Sequence, residues 1–485
     1  MWAPPAPDAV AAARARTFLD TSGYSAAHIG GALGRSGSVL LEREAVGAAR
    51  GALAGDGDAL ATLVRLFLLG DEVAADDAAA VLGEALEDLA RLELVAETGA
   101  ALRANVELVP HEHLLIASDR RDLAEDHAAV PGLHRPSATL AALTVRRPVE
   151  RALDVGTGNG VQALLVSPVA GSVVATDVNE RALAFAELNA ALNGCTNVEL
   201  RLGSYLEPVA GERFGLVVAN PPYVISPESR YVFRDSGLGG DRVSAELVAA
   251  LPEHLEDGAF ASVMVSWIQE GDVVGPRVRD WLPRTGCDGL LLHAAATSAR
   301  EAATQWNKGL ADDEQAYAEA VAAWLRYYRE EGIEAIGYGT LVLRRRDGTD
   351  PTFAVLELPQ DVRGQASDDL ELLFGALDAA QDGDAALLRR RLAAPPSARL
   401  HRIHARSDGE WREEGAQLEL TGALPFKGRL DAATADLLVR LDGTRTVGEA
   451  LADAAAAAGA PREAAAQGLP LVRRLLSRGF LAPVD

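Results

Sequence analysis

The amino-acid sequence predicts an α/β fold with a mostly parallel sheet in the middle of the chain. Between about 130 and 360, short apolar runs alternate with helix-compatible segments. This order is typical of a parallel sheet covered by helices on both faces, because parallel strands need crossover connections. The strand-like runs are RALDVG (151–156), SVVATD (172–177), NVELRLG (197–203), FGLVVAN (214–220) and AFASVMVSW (259–267). Three later runs could extend the sheet, at 288–295, 335–346 and 352–359, with an inserted helix at 312–332.

The regions on either side of this alternation predict small helical units. Helical periodicity at 59–70 and 75–95 is followed by a segment that alternates around Gly99, as a hairpin does. The end of the chain again places helices before a short strand. Such winged-helix-like units serve either as caps on a catalytic domain or as nucleic-acid binders. The predicted domains are a helical, winged-helix-like unit at 1–128, the α/β domain at 129–360, a partly basic linker at 361–409 and a small winged-helix-like unit at 410–485.

Composition excludes several classes of protein. The chain has 485 residues, 48% of them hydrophobic. It contains no apolar run of about 18 residues, so no membrane span is expected. The N-terminus lacks the pattern of a signal peptide, and Cys195 and Cys287 are too few for a disulfide framework, which indicates a cytoplasmic protein. His111 and His113 have no third ligand nearby in sequence, so no metal is expected. A net charge of −24 repels nucleic acid unless a local basic patch exists.

A glycine-rich turn follows the first predicted strand of the α/β domain. The segment LDVGTGNGVQALL (153–165) ends a strand, opens a helix and has the pattern D-x-G-x-G-x-G. Glycines are needed where the backbone turns sharply and approaches a ligand closely. The next strand ends at Asp177, where a carboxylate can accept hydrogen bonds from both ribose hydroxyls of an adenosine ligand. Ligands of open α/β sheets bind at these carboxyl ends, so both features predict one site.

The sequence Asn-Pro-Pro-Tyr at 220–223 stops the fourth strand. Prolines donate no backbone hydrogen bond and fix their own φ, so the strand cannot continue. The resulting turn is stiff and lies at the same sheet edge as the glycine loop. Its amide and its aromatic ring suit a planar group, and its position predicts contact with the reacting part of a ligand.

Together these motifs resemble the class I S-adenosylmethionine-dependent methyltransferases over about 130–300. The resemblance implies a Rossmann-like domain with a mostly parallel seven-stranded sheet, and S-adenosyl-L-methionine as the cofactor. It also implies that the amide and the Pro221 carbonyl of the turn hold an acceptor NH₂ group while the tyrosine ring stacks on it. The implied catalytic residues are Asn220, Pro221, Pro222 and Tyr223. The implied cofactor-binding residues are Asp154, Gly156, Thr157, Gly158, Gly160, Asp177, Val178, Ser204, Tyr205 and Asn220, with Asp154 near the methionine amino group and Asp177 on the ribose.

Three further segments bear on this resemblance. Ser204 stands where these enzymes often have an acid that binds the adenine amino group, so that contact lacks a charge here. The Gly239-Gly240-Asp241 step, within 234–248, partly matches a stretch of release-factor glutamine methyltransferases, but Arg242 departs from it and a plain loop-to-helix turn explains it as well. The segment PGLHRPSATLAAL (131–143) is expected to close over the cofactor, with Pro136 and Ser137 near it.

The function predicted is methyl transfer to a planar nitrogen, with the acceptor left open. A protein glutamine amide is favoured by the acidic charge and the Gly-Gly-Asp step. The alternative is an amino group of an RNA or DNA base, as in ribosomal-RNA guanine or adenine methyltransferases, with the base stacked on Tyr223. Small-molecule methylation and a non-catalytic scaffold are further alternatives. Nucleic-acid contact would use the arginines of the basic stretch 388–406, which are Arg389, Arg390, Arg391, Arg399, Arg402 and Arg406.

Overall fold

The computed structural model describes residues 2–34, 46–53, 57–123, 127–227, 239–282, 286–348, 350–461 and 466–484. Its contacts divide the chain into two compact units, each described by itself below. The first unit consists of Met1–Ala141, Arg146–Asp272 and Ala296–Ile336, and the second of Ala142–Val145, Val273–Ala295 and Gly337–Asp485. In the described part of the chain, every helix is too short or too polar to cross a membrane.

The N-terminal part of the first unit has short helices and two antiparallel strand groups. The helices are α1 (Ala9–Thr21), α2 (Ala26–Ala32), α3 (Val46–Ala52), α4 (Ala59–Phe67), α5 (Ala75–Leu82) and α6 (Ala85–Arg91). The strands are β1 (Val73–Ala74), β2 (Val95–Thr98), β3 (Ala101–Ala104), β4 (Val106–His111) and β5 (Leu114–Asp119). Strands β2 and β3 form the predicted hairpin, with Gly99 in its turn at a φ of 69°. Strands β4 and β5 form a second, more deeply buried hairpin.

The middle of the chain alternates strands and helices, as predicted. Its first elements are α7 (Arg135–Ala142), β6 (Val149–Val155), α8 (Val161–Val166), β7 (Ala170–Asp177), α9 (Glu180–Leu192), β8 (Val198–Leu202), β9 (Phe214–Ala219), α10 (Arg242–Ala250) and β10 (Leu255–Gln269). They are followed by α11 (Pro276–Asp280), β11 (Cys287–Ser298), α12 (Ala299–Trp306), α13 (Glu314–Glu330) and β12 (Ala335–Arg345). The α13 helix confirms the helix predicted at 312–332.

Five of these strands form the sheet of the first unit, in the order β10-β9-β6-β7-β8. All four neighbouring pairs are parallel. All six residues of β9 are buried, as is typical of a central parallel strand covered on both faces. The strand order places the end of β6 between the ends of β7 and β9. Residues after these three strands therefore share one sheet edge.

The second unit contributes three more strands among its described residues. They have the order β13-β11-β12, where β13 is Phe353–Glu357 and pairs in parallel with β11. The described residues of the two units thus supply eight strands, one for each of the eight predicted runs, where the family resemblance implied seven. The additional strand is the run at 352–359, which is short and only half-buried and so has the character of an edge strand.

Regular structure continues through 361–409, for which the sequence predicted a linker. Helix α14 (Ser367–Gln381) lies there and buries eight residues, including Leu370, Leu373 and Phe374. The elements after it are α15 (Asp384–Leu387), β14 (Arg391–Ala393), β15 (Ala398–Ser407), β16 (Glu410–Leu420), β17 (Lys427–Leu430), α16 (Ala432–Arg440), β18 (Asp442–Thr446), α17 (Val447–Ala457), α18 (Leu469–Leu476) and β19 (Ala482–Pro483). The predicted domain boundaries stay a prediction.

Two asparagines, one in α9 and one at its C-terminal end, hold the β4–β5 hairpin against this helix. The Asn189 side chain accepts from the Ala117 backbone N–H and donates to the Ala117 carbonyl, both at 2.8 Å. The Asn193 side chain pairs with Leu115 in the same way. Each amide therefore substitutes for a neighbouring strand on β5. Asn189 Nδ2 also donates to the carbonyl of Asn159 in the glycine-rich turn, so the hairpin and that turn are connected.

Candidate active site

The glycine-rich turn joins β6 to α8 and is shaped by three left-handed glycines. Gly156, Gly158 and Gly160 have φ values of 70°, 56° and 85°, which other residues rarely adopt. A Cβ atom at Gly156 or Gly158 would meet no atom within 4 Å, because both face open space. A Cβ atom at Gly160 would lie 3.1 Å from Ala186 of α9. The first two glycines thus leave room for a ligand, and the third allows close helix packing.

Asp154 stabilises this turn through two hydrogen bonds. Its side chain is 1% exposed, and Oδ2 accepts from Thr157 Oγ1 at 2.7 Å and from the Ala163 backbone N–H at 3.0 Å. Burial raises the pKa of this carboxyl to about 7, against the hydrogen bonds, which lower it. Asp154 is absent from the lining of the adjacent cavity. Asp154 thus connects the loop to the start of α8, and the structure does not bring it to the cavity surface.

Asp177 ends β7 and lines the same cavity. Its carboxylate accepts from the backbone N–H groups of Gly158 and Asn179, both at 2.9 Å. Burial raises the pKa of this carboxyl, and these backbone bonds oppose the increase. Val178, Ser204 and Tyr205 also line the cavity. The residues predicted after β7 and β8 therefore meet beside the glycine turn.

Asn220 follows β9, and its amide is held from one side only. Asn220 Nδ2 donates to Ser137 Oγ at 3.3 Å, and Ser137 Oγ is 2.6 Å from Nδ1 of His134. Burial lowers the pKa of His134, which favours the neutral imidazole, and Nδ1 of that form can accept a hydrogen bond from the serine hydroxyl. Asn220 Oδ1 is buried without a hydrogen-bond partner among the described residues. Because the single hydroxyl proton of Ser137 is directed at His134, its oxygen must accept from Asn220 Nδ2. Asn220 Oδ1 is then left without a hydrogen-bond donor among the described residues.

The other members of the Asn-Pro-Pro-Tyr turn have different surroundings. Pro222 lines the cavity, whereas Pro221 is buried and Tyr223 is half-exposed without lining it. The Tyr223 carbonyl accepts from Ser266 Oγ of β10. Farther along, the Ile225 carbonyl accepts from the buried Tyr328 hydroxyl at 2.9 Å, so the inserted helix α13 supports the segment after the turn.

The Gly239-Gly240-Asp241 step forms a turn at the start of α10. The Gly240 backbone N–H donates to the Tyr327 hydroxyl at 2.8 Å, and Asp241 Oδ2 accepts from the Ile268 backbone N–H at 3.0 Å. These contacts are structural, and none of the three residues lines the cavity. Residues 234–238 of the predicted stretch lie outside the described residues.

Gln162 is a cavity residue that the sequence analysis did not single out. It is 3% exposed, and Nε2 donates to the Ser137 carbonyl at 2.8 Å. Oε1 is buried and has no partner among the described residues. One signal for it was present, since Gln162 is the only polar residue in the helix VQALLV. Ser137, expected near the cofactor from the sequence, does line the cavity, whereas Pro136 does not.

These residues surround one cavity of about 390 Å³, within the range of small-molecule and cofactor sites. Of the predicted site, Gly156, Thr157, Gly158, Asp177, Val178, Ser204, Tyr205, Asn220 and Pro222 line it. Asp154, Gly160, Pro221 and Tyr223 do not. The open space over two glycines, the carboxylate at the end of β7 and the unpaired amide oxygen after β9 suit an adenosine ligand with a reactive group near Asn220.

The fold and the site are of the class I methyltransferase type. The family model of the methyltransferase small domain matches residues 135–236, and those of two domains of unknown function match 21–105 and 376–483. The release factor glutamine methyltransferase of Cereibacter sphaeroides is 32% identical over 247 residues, which is 45% of this chain and 88% of that protein. The chain belongs to the release factor glutamine methyltransferase family.

Other relatives match shorter segments. The release factor glutamine methyltransferase of Xylella fastidiosa is 34% identical, covering 28% of this chain and 52% of that protein. The ribosomal protein uL3 glutamine methyltransferase of Bradyrhizobium diazoefficiens is 31% identical, covering 26% and 49%. The chain spans about half the length of these two relatives. The crystal structure of a ribosomal protein L11 methylase from Lactobacillus delbrueckii matches with a TM-score of 0.29 and 20% identity, covering 44% of this chain and 81% of that one.

Proposed function

We propose that this protein is an S-adenosylmethionine-dependent N-methyltransferase that methylates a glutamine side-chain amide in a protein. The observation that carries the proposal is Asn220 Oδ1, a buried acceptor without a partner among the described residues, at the edge of the cofactor-type cavity. A buried carbonyl oxygen without a hydrogen bond is unfavourable by about 1–3 kcal/mol, so a donor is expected there when the site is filled. An NH₂ group is such a donor.

The residues of the cavity fit S-adenosylmethionine. Gly156 and Gly158 leave space for the ligand, and the Asp177 carboxylate can accept the ribose hydroxyls. Ser204 and Tyr205 are available to the adenine, with Ser204 as a neutral acceptor for its amino group. The cofactor supplies an electrophilic methyl group on a sulfonium.

The acceptor nitrogen needs positioning, because the lone pair of an amide is delocalised and is a weak nucleophile. Asn220 Oδ1 and the Pro221 carbonyl would each accept a hydrogen bond from one N–H of the NH₂ group, and Tyr223 would stack on its plane. Fixing the nitrogen in this way favours a pyramidal geometry and in-line approach. Release of the proton can follow transfer, so a strong base is not required.

A protein acceptor is supported over a nucleic acid by two observations. The named relatives act on release factors and a ribosomal protein. The arginine-rich stretch lies partly on β15, whose partner β16 carries acids, and Arg402 pairs with Glu413 and Asp436. Arg390 likewise pairs with Asp382. All six arginines of the stretch are exposed, but these carboxylates reduce the positive field that a phosphate backbone would meet.

The test incubates the purified chain with S-adenosylmethionine carrying a radiolabelled methyl group and with host RNA, DNA, protein and small-molecule fractions. We expect protease-sensitive label, located by peptide mass spectrometry on a glutamine side-chain nitrogen. Asn220→Ala is the matched variant: cofactor affinity should stay near normal while turnover falls about 100- to 1000-fold. RNase-sensitive label would overturn the protein acceptor, and normal turnover of the variant would overturn the role of Asn220.

A further inference from the structure

The orientation of the Gln162 side chain is fixed by a group that can only accept. Its Nε2 donates to the Ser137 backbone carbonyl, and a carbonyl has no proton to give. The NH₂ end of the amide must therefore lie toward Ser137, and Oε1 must lie on the other side. This oxygen is buried and has no partner among the described residues, in a side chain that lines the cavity. A ligand in the cavity is the natural source of the missing donor.

Gln162 belongs to the Asn220 side of the cavity. Ser137 joins the two side chains, because its carbonyl accepts from Gln162 and its hydroxyl accepts from Asn220. Asn220 follows β9 and Asp177 ends β7, with β6 between them, so the two residues start about 10 Å apart across the sheet edge. A ligand with its ribose at Asp177 and its methyl group facing Asn220 would have its remaining part available to Gln162, which lines the same cavity.

The charge of the cavity lining is compatible with a cation near Gln162. Asp177 contributes a carboxylate, and the described residues that line the cavity include no lysine or arginine. The Gln162 oxygen without a partner adds a negative dipole end there. A hydrogen bond to a charged donor is stronger than one to a neutral donor, so an ammonium group gains most from such an acceptor.

We propose that Gln162 Oε1 accepts a hydrogen bond from the α-ammonium group of the cofactor's methionine part. Gln162 is then a specificity residue that distinguishes ligands with an amino-acid tail from adenosine thioethers without one. This inference rests on the proposed cofactor, and it goes beyond it by assigning a side chain outside the glycine turn and the Asn-Pro-Pro-Tyr turn to the ammonium group.

Calorimetry with two ligands tests this assignment. S-adenosylhomocysteine carries the ammonium group, and 5′-methylthioadenosine lacks the amino-acid tail. Gln162→Met keeps the size of the side chain and removes the acceptor. We expect S-adenosylhomocysteine to bind about 10- to 100-fold more weakly to this variant, and 5′-methylthioadenosine to bind within about twofold of wild type.

Gln269→Met is the matched control. Gln269 is also buried and also donates to a backbone carbonyl, that of Gly271, but it lies outside the cavity lining. This control should change neither affinity. Equal weakening of both ligands by Gln162→Met, or no weakening of either, would overturn the assignment while leaving the proposed function in place. Failure of the wild-type protein to bind either ligand would instead refute the proposed function.

Discussion

Replacing the buried Asp154 by asparagine should change how the stability of the protein depends on pH. The pKa of this carboxyl rises from its ordinary value of 3.8 to about 7 because the group is buried. The folded state therefore binds the proton more tightly than the unfolded state does, and the free energy of unfolding falls as pH rises from about 4 to 7. Three pH units at about 1.4 kcal/mol each correspond to about 4 kcal/mol lost above pH 7.

Asp154→Asn removes this titration and keeps an oxygen that can accept from Thr157 and Ala163. Denaturant unfolding measured at unit steps from pH 4 to 8 gives the stability of both proteins. The stability of the variant minus that of wild type should grow by about 4 kcal/mol between pH 4 and 7 and then stay level. Glu187→Gln is the control, since Glu187 is an exposed residue of α9. A difference that stays within about 1 kcal/mol across the range would show that Asp154 does not titrate as argued.

Three further outcomes are expected. Asp177→Ala should weaken S-adenosylmethionine binding about 100-fold in calorimetry, and unchanged affinity would exclude the ribose contact. Ser137→Ala should lower turnover and remove a step in the pH–rate profile. Burial holds the pKa of His134 below its ordinary value of 6.5. When the imidazole is protonated at low pH, Nδ1 donates to the Ser137 hydroxyl instead of accepting from it, and the wild-type protein should lose activity there. An unaltered pH–rate profile in the variant would contradict this. Gly160→Ala should destabilise the fold by more than Gly194→Ala. Both glycines have positive φ, but only at Gly160 would the added Cβ atom also lie 3.1 Å from a neighbour, Ala186. Equal denaturation midpoints for the two variants would refute this contact.

The parts of the fold and site that the sequence predicted are those with local causes. Strands, the helix at 312–332 and the hairpin around Gly99 follow from periodicity and turn residues close in sequence. The glycine turn and Asp177 were predicted to meet because the ends of parallel strands share an edge, and the cavity lining contains both.

What the sequence did not predict depends on partners distant along the chain. Gln162 looks like an isolated polar residue until the Ser137 carbonyl, 25 positions earlier, fixes its amide. The basic stretch looked uncompensated because its acids, such as Glu413 and Asp436, come later in the chain. Within 361–409, for which the sequence predicted a linker, the apolar spacing of α14 is helical.

Asn189 contacts both the β5 strand and the glycine-rich turn, so the Ala117 amide proton can report on the state of that turn. That proton exchanges with solvent only when its hydrogen bond to Asn189 Oδ1 is broken, and the same side chain also donates to the Asn159 carbonyl. Ordering of the turn by a ligand should therefore slow exchange at Ala117, which is not part of the cavity lining. Hydrogen exchange at this one amide would follow occupancy of the site without any label on the ligand.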